Sequence, residues 1–456
     1  MAPENPQCLR KLCSFSNLLC LHVILLSSLC GIATSQTIVT SLPGFEGDLP
    51  FTLETGYVGV GDSNQSQLFY YFVESSRSPS QDPLMLWFTG GPGCSVLSAF
   101  FYESGPLSFT YVNYNGSLPS LHANPYTWTK GLNIIYVDSP VGTGFSYSTT
   151  LEGYYIDDEE AVSQSVDFLR KWLLAHPQFL NNILYIGGDS YSGIPLPMIV
   201  QELFDGNNAG VEPYLNLRGY VLGNPKTDDF IDVNSVVPFA HRLTLISDEL
   251  YESAKKAAVL LLQINIMHVL EPNCQVALPN NGEEQGRRSI RELPDDFLVT
   301  DSTPALWCRY YNYVILGVWA NDKSVRKALN VREDSIGVWK RCNMSIAYTK
   351  TVSSSIEYHK NLSNTGLRAL IYSGDHDMSV PHIGTQDWIR YLNLTNGEVW
   401  RPWYVDGQVA GYTEKFSNND YNLLYATIKG AGHVAPEYKP KECYAMIDRW
   451  LAYYPL

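Results

Sequence analysis

Apolar residues gather along the chain in short dense runs separated by turns rich in Gly, Pro and Asp. Seven runs are apolar on nearly every residue: Phe69–Val73, Leu84–Phe88, Asn133–Val137, Ile183–Ile186, Leu217–Leu222, Ala369–Tyr372 and Leu424–Ile428. This is the pattern of strands covered on both faces. Helical periods lie between them. Glu159–Ala175 is acidic at its start and apolar at helical spacing, and Ile194–Leu203 can open a helix. The alternation predicts an α/β fold with a mainly parallel central sheet and helices on both faces. Residues 225–331 break the rhythm and are expected to form a cap insertion. Within them, residues 280–303 are polar and charged, with Arg287 and Arg288, and read as an exposed loop or an excisable linker.

At the N-terminus, Arg10 and Lys11 precede the apolar segment Leu18–Leu29, and Ala33-Thr34-Ser35 follows with small side chains. Residues 1–35 therefore read as a signal peptide; a membrane anchor is the alternative. The chain of 456 residues carries a formal charge of −15, which argues against a nucleic-acid partner because phosphate binding relies on clustered Lys and Arg. Cys8, Cys13, Cys20 and Cys30 fall in the leader, leaving Cys94, Cys274, Cys308, Cys342 and Cys443. They form no CxxC and no Cys/His cluster, so no metal and no cofactor is expected. Five N-x-S/T sequons, at Asn64, Asn115, Asn343, Asn361 and Asn393, fit a glycosylated protein of the secretory route.

Candidate chemistry begins at Gly188-Asp189-Ser190-Tyr191-Ser192-Gly193, between a strand pattern and a helical one. Such a turn presents a serine Oγ outward as a nucleophile elbow, although Ser192 stands where G-x-S-x-G has glycine. A serine needs a base, and the base an orienting group. Asp375 and Asp377 follow the strand pattern ending at Tyr372, and His433 follows the one ending at Ile428, in Gly-rich loops where open α/β sheets gather active-site groups. Thr89-Gly90-Gly91-Pro92-Gly93-Cys94-Ser95 follows another strand and lacks the lysine of a P-loop. It reads as an oxyanion loop.

These motifs, with Glu103-Ser104-Gly105-Pro106, the run Asp138–Ser148 and Lys429–His433, resemble the serine carboxypeptidase family, and more narrowly its plant acyltransferase-like branch. The resemblance runs from about Gly44 to the C-terminus and implies an α/β-hydrolase fold. It implies Ser190 as nucleophile, His433 as base, Asp377 (rather than Asp375) as orienting acid, and the amides of Gly91 and Tyr191 as oxyanion donors. It also implies disulfides Cys94–Cys342 and Cys274–Cys308, with Cys443 free in a C-terminal helix. Peptidases of the family hold a substrate carboxylate with an asparagine and two glutamates; here Thr89, beside Gly90, and Asp189 replace two of the three, and Glu103 is kept. The implied activity is transfer of an acyl group from a 1-O-acyl-β-glucose to an alcohol or amine through a Ser190 acyl-enzyme. The alternatives are a serine-type carboxypeptidase at acidic pH and an inactive secreted binding protein on the same scaffold. The expected partners are a small-molecule acyl donor and acceptor or a peptide, in the vacuole or apoplast. One further departure is the stretch Ser253–His268, which is short, mostly apolar and free of cysteine.

Overall fold

The computed structural model describes residues 36–61, 63–112, 114–254, 264–272 and 308–456. All seven apolar runs fall on strands, with Ile183 alone lying one residue outside. The main sheet is built from β1 (Thr37–Val39), β2 (Leu53–Val60), β3 (Ser66–Val73), β4 (Leu84–Phe88), β5 (Asn133–Val137), β6 (Leu184–Asp189), β7 (Leu217–Gly223), β8 (Arg368–Gly374), β9 (Thr395–Val405), β10 (Gln408–Asn418) and β11 (Tyr421–Ile428). Their order is β1-β2-β3-β5-β4-β6-β7-β8-β11-β10-β9, and the short strand Tyr147–Ser148 pairs with β3. The six strands from β5 to β11 in that order are parallel. Antiparallel strands close both edges.

Period-two alternation explains why the central strands are apolar throughout. Met85 and Trp87 of β4, Ile134 and Tyr136 of β5 and Tyr185 of β6 face one core, while Leu84, Leu86, Ile135, Leu184 and Ile186 face the other. Helix α1 (Asp158–Ala175) and helix α2 (Pro195–Asn208) cover the second face, burying Trp172 and Leu203 there. α1 starts where Asp157 accepts a hydrogen bond from the Glu160 amide, and its acidic first turn suits the positive end of the helix dipole.

Two described helices of the stretch expected as a cap differ in their packing. Helix α3 (Asp229–Arg242) leaves Phe230 and Val233 exposed. Helix α4 (Arg309–Asn321), by contrast, joins the first core, with Trp319 packed 5.0 Å from Phe101 and its indole N–H donated to the Pro43 carbonyl. The leader at residues 1–35 and the linker at 280–303 lie outside the described residues. Among the described residues no helix is long and apolar enough to cross a membrane.

Candidate active site

Parallel strands deliver their C-terminal ends to one edge of the sheet, and the expected site residues stand there because each follows such an end. Thr89 follows β4, Ser190 follows β6, Asp377 lies three residues past β8 and His433 five past β11. Ser190 has φ +56°, a left-handed conformation that non-glycine residues adopt only where the surroundings enforce it. The enforcement is visible: the Lys226 amide donates to the Ser190 carbonyl at 2.9 Å, and a Cβ built at Gly193 would meet the Lys226 carbonyl oxygen at 2.2 Å. The turn thus requires glycine at 193, one place later than G-x-S-x-G has it, and Ser192 packs beside Gly188.

Ser190 Oγ lies 2.7 Å from His433 Nε2, and His433 Nδ1 lies 2.8 Å from Asp377 Oδ2. Asp377 is wholly buried, yet both its oxygens are satisfied. Oδ1 accepts from the amides of Ser379 (2.7 Å) and Val380 (3.1 Å), and Oδ2 accepts from the Asn224 side chain (2.7 Å) as well as facing His433. Four hydrogen-bond partners satisfy this buried carboxylate and fix its direction. Asp375 points elsewhere, to His376 Nδ1 at 2.6 Å and the Gly430 amide at 2.7 Å, so it does not touch His433 among these bonds. Burial disfavours the His433 imidazolium, but the charge and hydrogen bond of Asp377, with Asp189 behind, hold its pKa above the ordinary histidine value.

The Gly-rich loop comes against the elbow so closely that a Cβ at Gly90 would sit 2.5 Å from Ser190 Cβ and 2.6 Å from the Tyr191 nitrogen. Only glycine permits that approach. The loop is pinned from behind. Cys94 is disulfide-bonded to Cys342, the Ser95 amide donates to the Arg341 carbonyl at 2.6 Å, and the Asn343 amide donates to the Gly93 carbonyl at 2.8 Å. Asp138, also buried, accepts from Ser95 Oγ (2.7 Å) and from the amides of Val96 (2.9 Å) and Phe145 (3.0 Å). Burial raises its pKa to about 6 even so.

Next to this loop, Thr89 Oγ1, Glu103 Oε2 and Asp189 Oδ1 are buried side-chain oxygens without a hydrogen-bond partner. Glu103 ends a π-helical turn, Ala99–Glu103, whose five residues are all buried. Burial raises the Glu103 carboxyl well above its usual range, and neighbouring Asp189 and Glu437 push the same way against Arg341. Burial likewise lifts Asp189 to about 6, against the pull of His433, backbone amides and Arg341.

Two features escaped the sequence reading. Sequence reasoning does not single out Asn224, although a polar side chain directly after β7, at the same sheet edge, is an available signal. Residues 264–272, which overlap the departure at Ser253–His268, carry no catalytic motif. They dock on both loops: the His433 amide donates to the Met267 carbonyl at 2.7 Å, and the amides of Met378 (2.9 Å) and Ser379 (3.0 Å) donate to Ile266. His268 stacks on His376, with ring centroids 5.4 Å apart.

Cys308 is disulfide-bonded, while Cys274 lies outside the described residues. Cys443 is a free, buried thiol in the helix Pro440–Leu451, as expected. Asn64, Asn115, Asn361 and Asn393 are exposed, whereas Asn343 is half-buried with its side-chain amide donated to the Gly142 carbonyl at 3.0 Å. Among the described residues no group of His, Cys, Asp and Glu is placed to hold a metal.

A model of the serine carboxypeptidase family matches residues 43–453. Serine carboxypeptidase-like 1 of Arabidopsis thaliana is 48% identical over 441 residues, covering 97% of this chain and 98% of that protein. Serine carboxypeptidase-like 17 of the same plant is 47% identical over 438 residues, covering 95% and 97%. The crystal structure of Kex1(delta)p, a prohormone-processing carboxypeptidase from Saccharomyces cerevisiae, superposes with a TM-score of 0.68 over 88% of this chain and 91% of that one, at 20% identity, which is a likeness of fold. The chain is therefore an α/β-hydrolase-fold enzyme that belongs to the serine carboxypeptidase family.

Proposed function

We propose that this protein is an acyltransferase, taking an acyl group from a 1-O-acyl-β-glucose and giving it to the alcohol or amine of a second small molecule. The observation that carries the reading is the state of the leaving-group pocket. Its two carboxyls are buried together and the amide donor expected of a peptidase is a threonine hydroxyl. A peptide's terminal carboxylate loses the asparagine amide as a donor there, and Asp189 reaches one methylene less far than the glutamate it replaces, so the grip on a carboxylate is weakened. A sugar hydroxyl keeps its partners, because it donates to a carboxylate and accepts from a carboxylic acid.

Ser190 Oγ attacks the ester carbonyl while its proton passes to His433 Nε2 across the 2.7 Å contact. Asp377 stabilises the imidazolium formed, and the amides of Gly91 and Tyr191 face the developing oxyanion. Collapse breaks the bond to the sugar oxygen, which leaves with the proton from His433. The acceptor then gives a proton to His433 as its oxygen or nitrogen attacks the acyl-enzyme, and collapse breaks the acyl–Oγ bond while His433 passes that proton to Ser190.

A carboxypeptidase is the second reading. It is favoured by Glu103, retained in its motif and held protonated by burial, since a carboxylic acid can share its proton with a substrate carboxylate in acid. The decisive experiment incubates purified protein with acyl-glucose esters plus an alcohol, and separately with blocked dipeptides near pH 5. Transfer without peptide trimming supports the first reading; efficient trimming with no ester turnover replaces it by the second. The double variant Thr89→Asn, Asp189→Glu is expected to gain carboxypeptidase activity. The Cys94–Cys342 disulfide and four exposed sequons support a secretory location, vacuole or apoplast, where thiols are oxidised and Asn-linked sugars are added.

A further inference from the structure

A cavity of about 390 Å³ lies at the surface where the turn Ala99–Glu103, the loop after it, helix α4 and the segment after His433 meet. It is lined by the rings of Tyr102, Tyr111 and Tyr126 and by Arg309, Asn312 and Glu437. Its volume falls in the range of small-molecule sites, ~300–1,000 Å³. Two of its lining residues carry a buried oxygen that accepts no hydrogen bond, although one of these oxygens lies 3.9 Å from the Arg309 guanidinium. They are Asn312 Oδ1 and Glu437 Oε1, with Asn312 only 7% exposed and the Glu437 side chain only 6%. A buried acceptor without a hydrogen bond is costly, so both atoms call for a donor.

The surrounding contacts narrow what that donor is. Glu437 Oε2 already accepts from the Tyr313 hydroxyl at 2.8 Å, which directs the free oxygen away from that ring. Arg309 is fixed by Glu271, at 2.9 and 3.0 Å, and by stacking 3.9 Å from the Tyr438 ring centroid, and its guanidinium stands 3.9 Å from Glu437 Oε1. A ligand cation would satisfy the acceptors but be repelled by Arg309. A ligand anion would suit Arg309 but be repelled by Glu437. A neutral hydroxyl donates to Glu437 or Asn312 and accepts from Arg309, and an apolar ring face stacks on tyrosine.

We propose that this cavity is a second ligand site, for a neutral ring bearing several hydroxyls, such as a glycosyl group. None of Ser190, Asp377 and His433 lines it, and its chemistry does not depend on whether Ser190 performs transfer or hydrolysis. Phenyl β-D-glucopyranoside is the probe, titrated by calorimetry and saturation-transfer NMR into the full-length Ser190→Ala protein, with choline and benzoate as cationic and anionic comparisons. The glucoside is expected to bind better than either. Asn312→Leu removes one acceptor and Tyr111→Ala one ring, and each is expected to weaken glucoside binding by roughly fivefold or more. Tyr111 is 48% exposed, so its variant decides the matter if Asn312→Leu does not fold. No glucoside binding, equal affinity in the folded variants, or tighter binding of choline or benzoate overturns the proposal and leaves water as the occupant. Ser190→Ala stops turnover but keeps the leaving-group pocket, so only glucoside binding that Asn312→Leu or Tyr111→Ala weakens is assigned to this cavity, and that outcome is the same whether or not the acyltransferase reading fails.

Discussion

Asn224 and His433 converge on the same oxygen of Asp377, at 2.7 and 2.8 Å. Asn224 is itself held with φ +44°, its amide donated to the Tyr372 carbonyl at 2.7 Å. The asparagine therefore acts on His433 only through Asp377, as a positioning residue. Asn224→Leu is expected to lower kcat by about ten- to a hundredfold with little change in KM, the range for one hydrogen bond to a charged group. Because one donor to the buried carboxylate is lost, the pH profile of kcat should shift as well. An unaltered kcat and pH profile in a folded variant would remove Asn224 from the site.

Ser190→Ala should cost on the order of 10³-fold or more in rate and abolish labelling by an organophosphonate, since Oγ is the only atom removed. Labelling that survives in the alanine variant would place the nucleophile at another residue.

The raised carboxyl of Asp189 makes part of the stability depend on pH. An unfolded aspartate titrates near 3.8 and this one near 6, so between those values the folded state holds more protons. Stability from this group is therefore fully present below about pH 4 and lost as pH rises to about 6, by on the order of 2–3 kcal/mol. His433, with its pKa raised, acts in the same sense at higher pH: its contribution is present below the unfolded histidine value and lost as pH passes the folded one. Asn has no charge to bury, so Asp189→Asn should gain stability relative to wild type at pH 7.5 and not at pH 4. Thermal melts of the two proteins across that range test this, and parallel curves would falsify it.

The Cys94–Cys342 bond joins residues 248 apart and anchors the loop that touches Ser190. Replacing both cysteines by alanine should destabilise the protein by about 2–5 kcal/mol and also reduce activity in whatever folds. Denaturant melts and rates per folded molecule separate the two effects. Full activity in the folded fraction would show that the loop holds its place without the bond.

The central strands were legible in the sequence because a strand buried on both faces is apolar at nearly every position, and the short length of the runs and the turn residues that bound them set them apart from buried helix. The edge strands β9 and β10 were not. They carry residues such as Glu398, Arg401, Glu414 and Lys415, exposed or half-buried, and only their pairing across residues 395–418 makes them strands. The triad residues were readable one loop at a time, since Ser190, Asp377 and His433 each sit just beyond a strand end within a small-residue motif. Their distances were not readable, because 56 residues separate Asp377 from His433 and 243 separate Ser190 from His433. Only the parallel register brings those strand ends to one edge. Similarly, the choice of Asp377 over Asp375 rested on resemblance until the fold gave each carboxylate its own set of donors. Asn224, the docking of Ile266 and Met267, and the oxygens of Asn312 and Glu437 left without a hydrogen bond belong wholly to tertiary structure. Local sequence sets what a residue can donate or accept, and packing alone decides whether a partner is there.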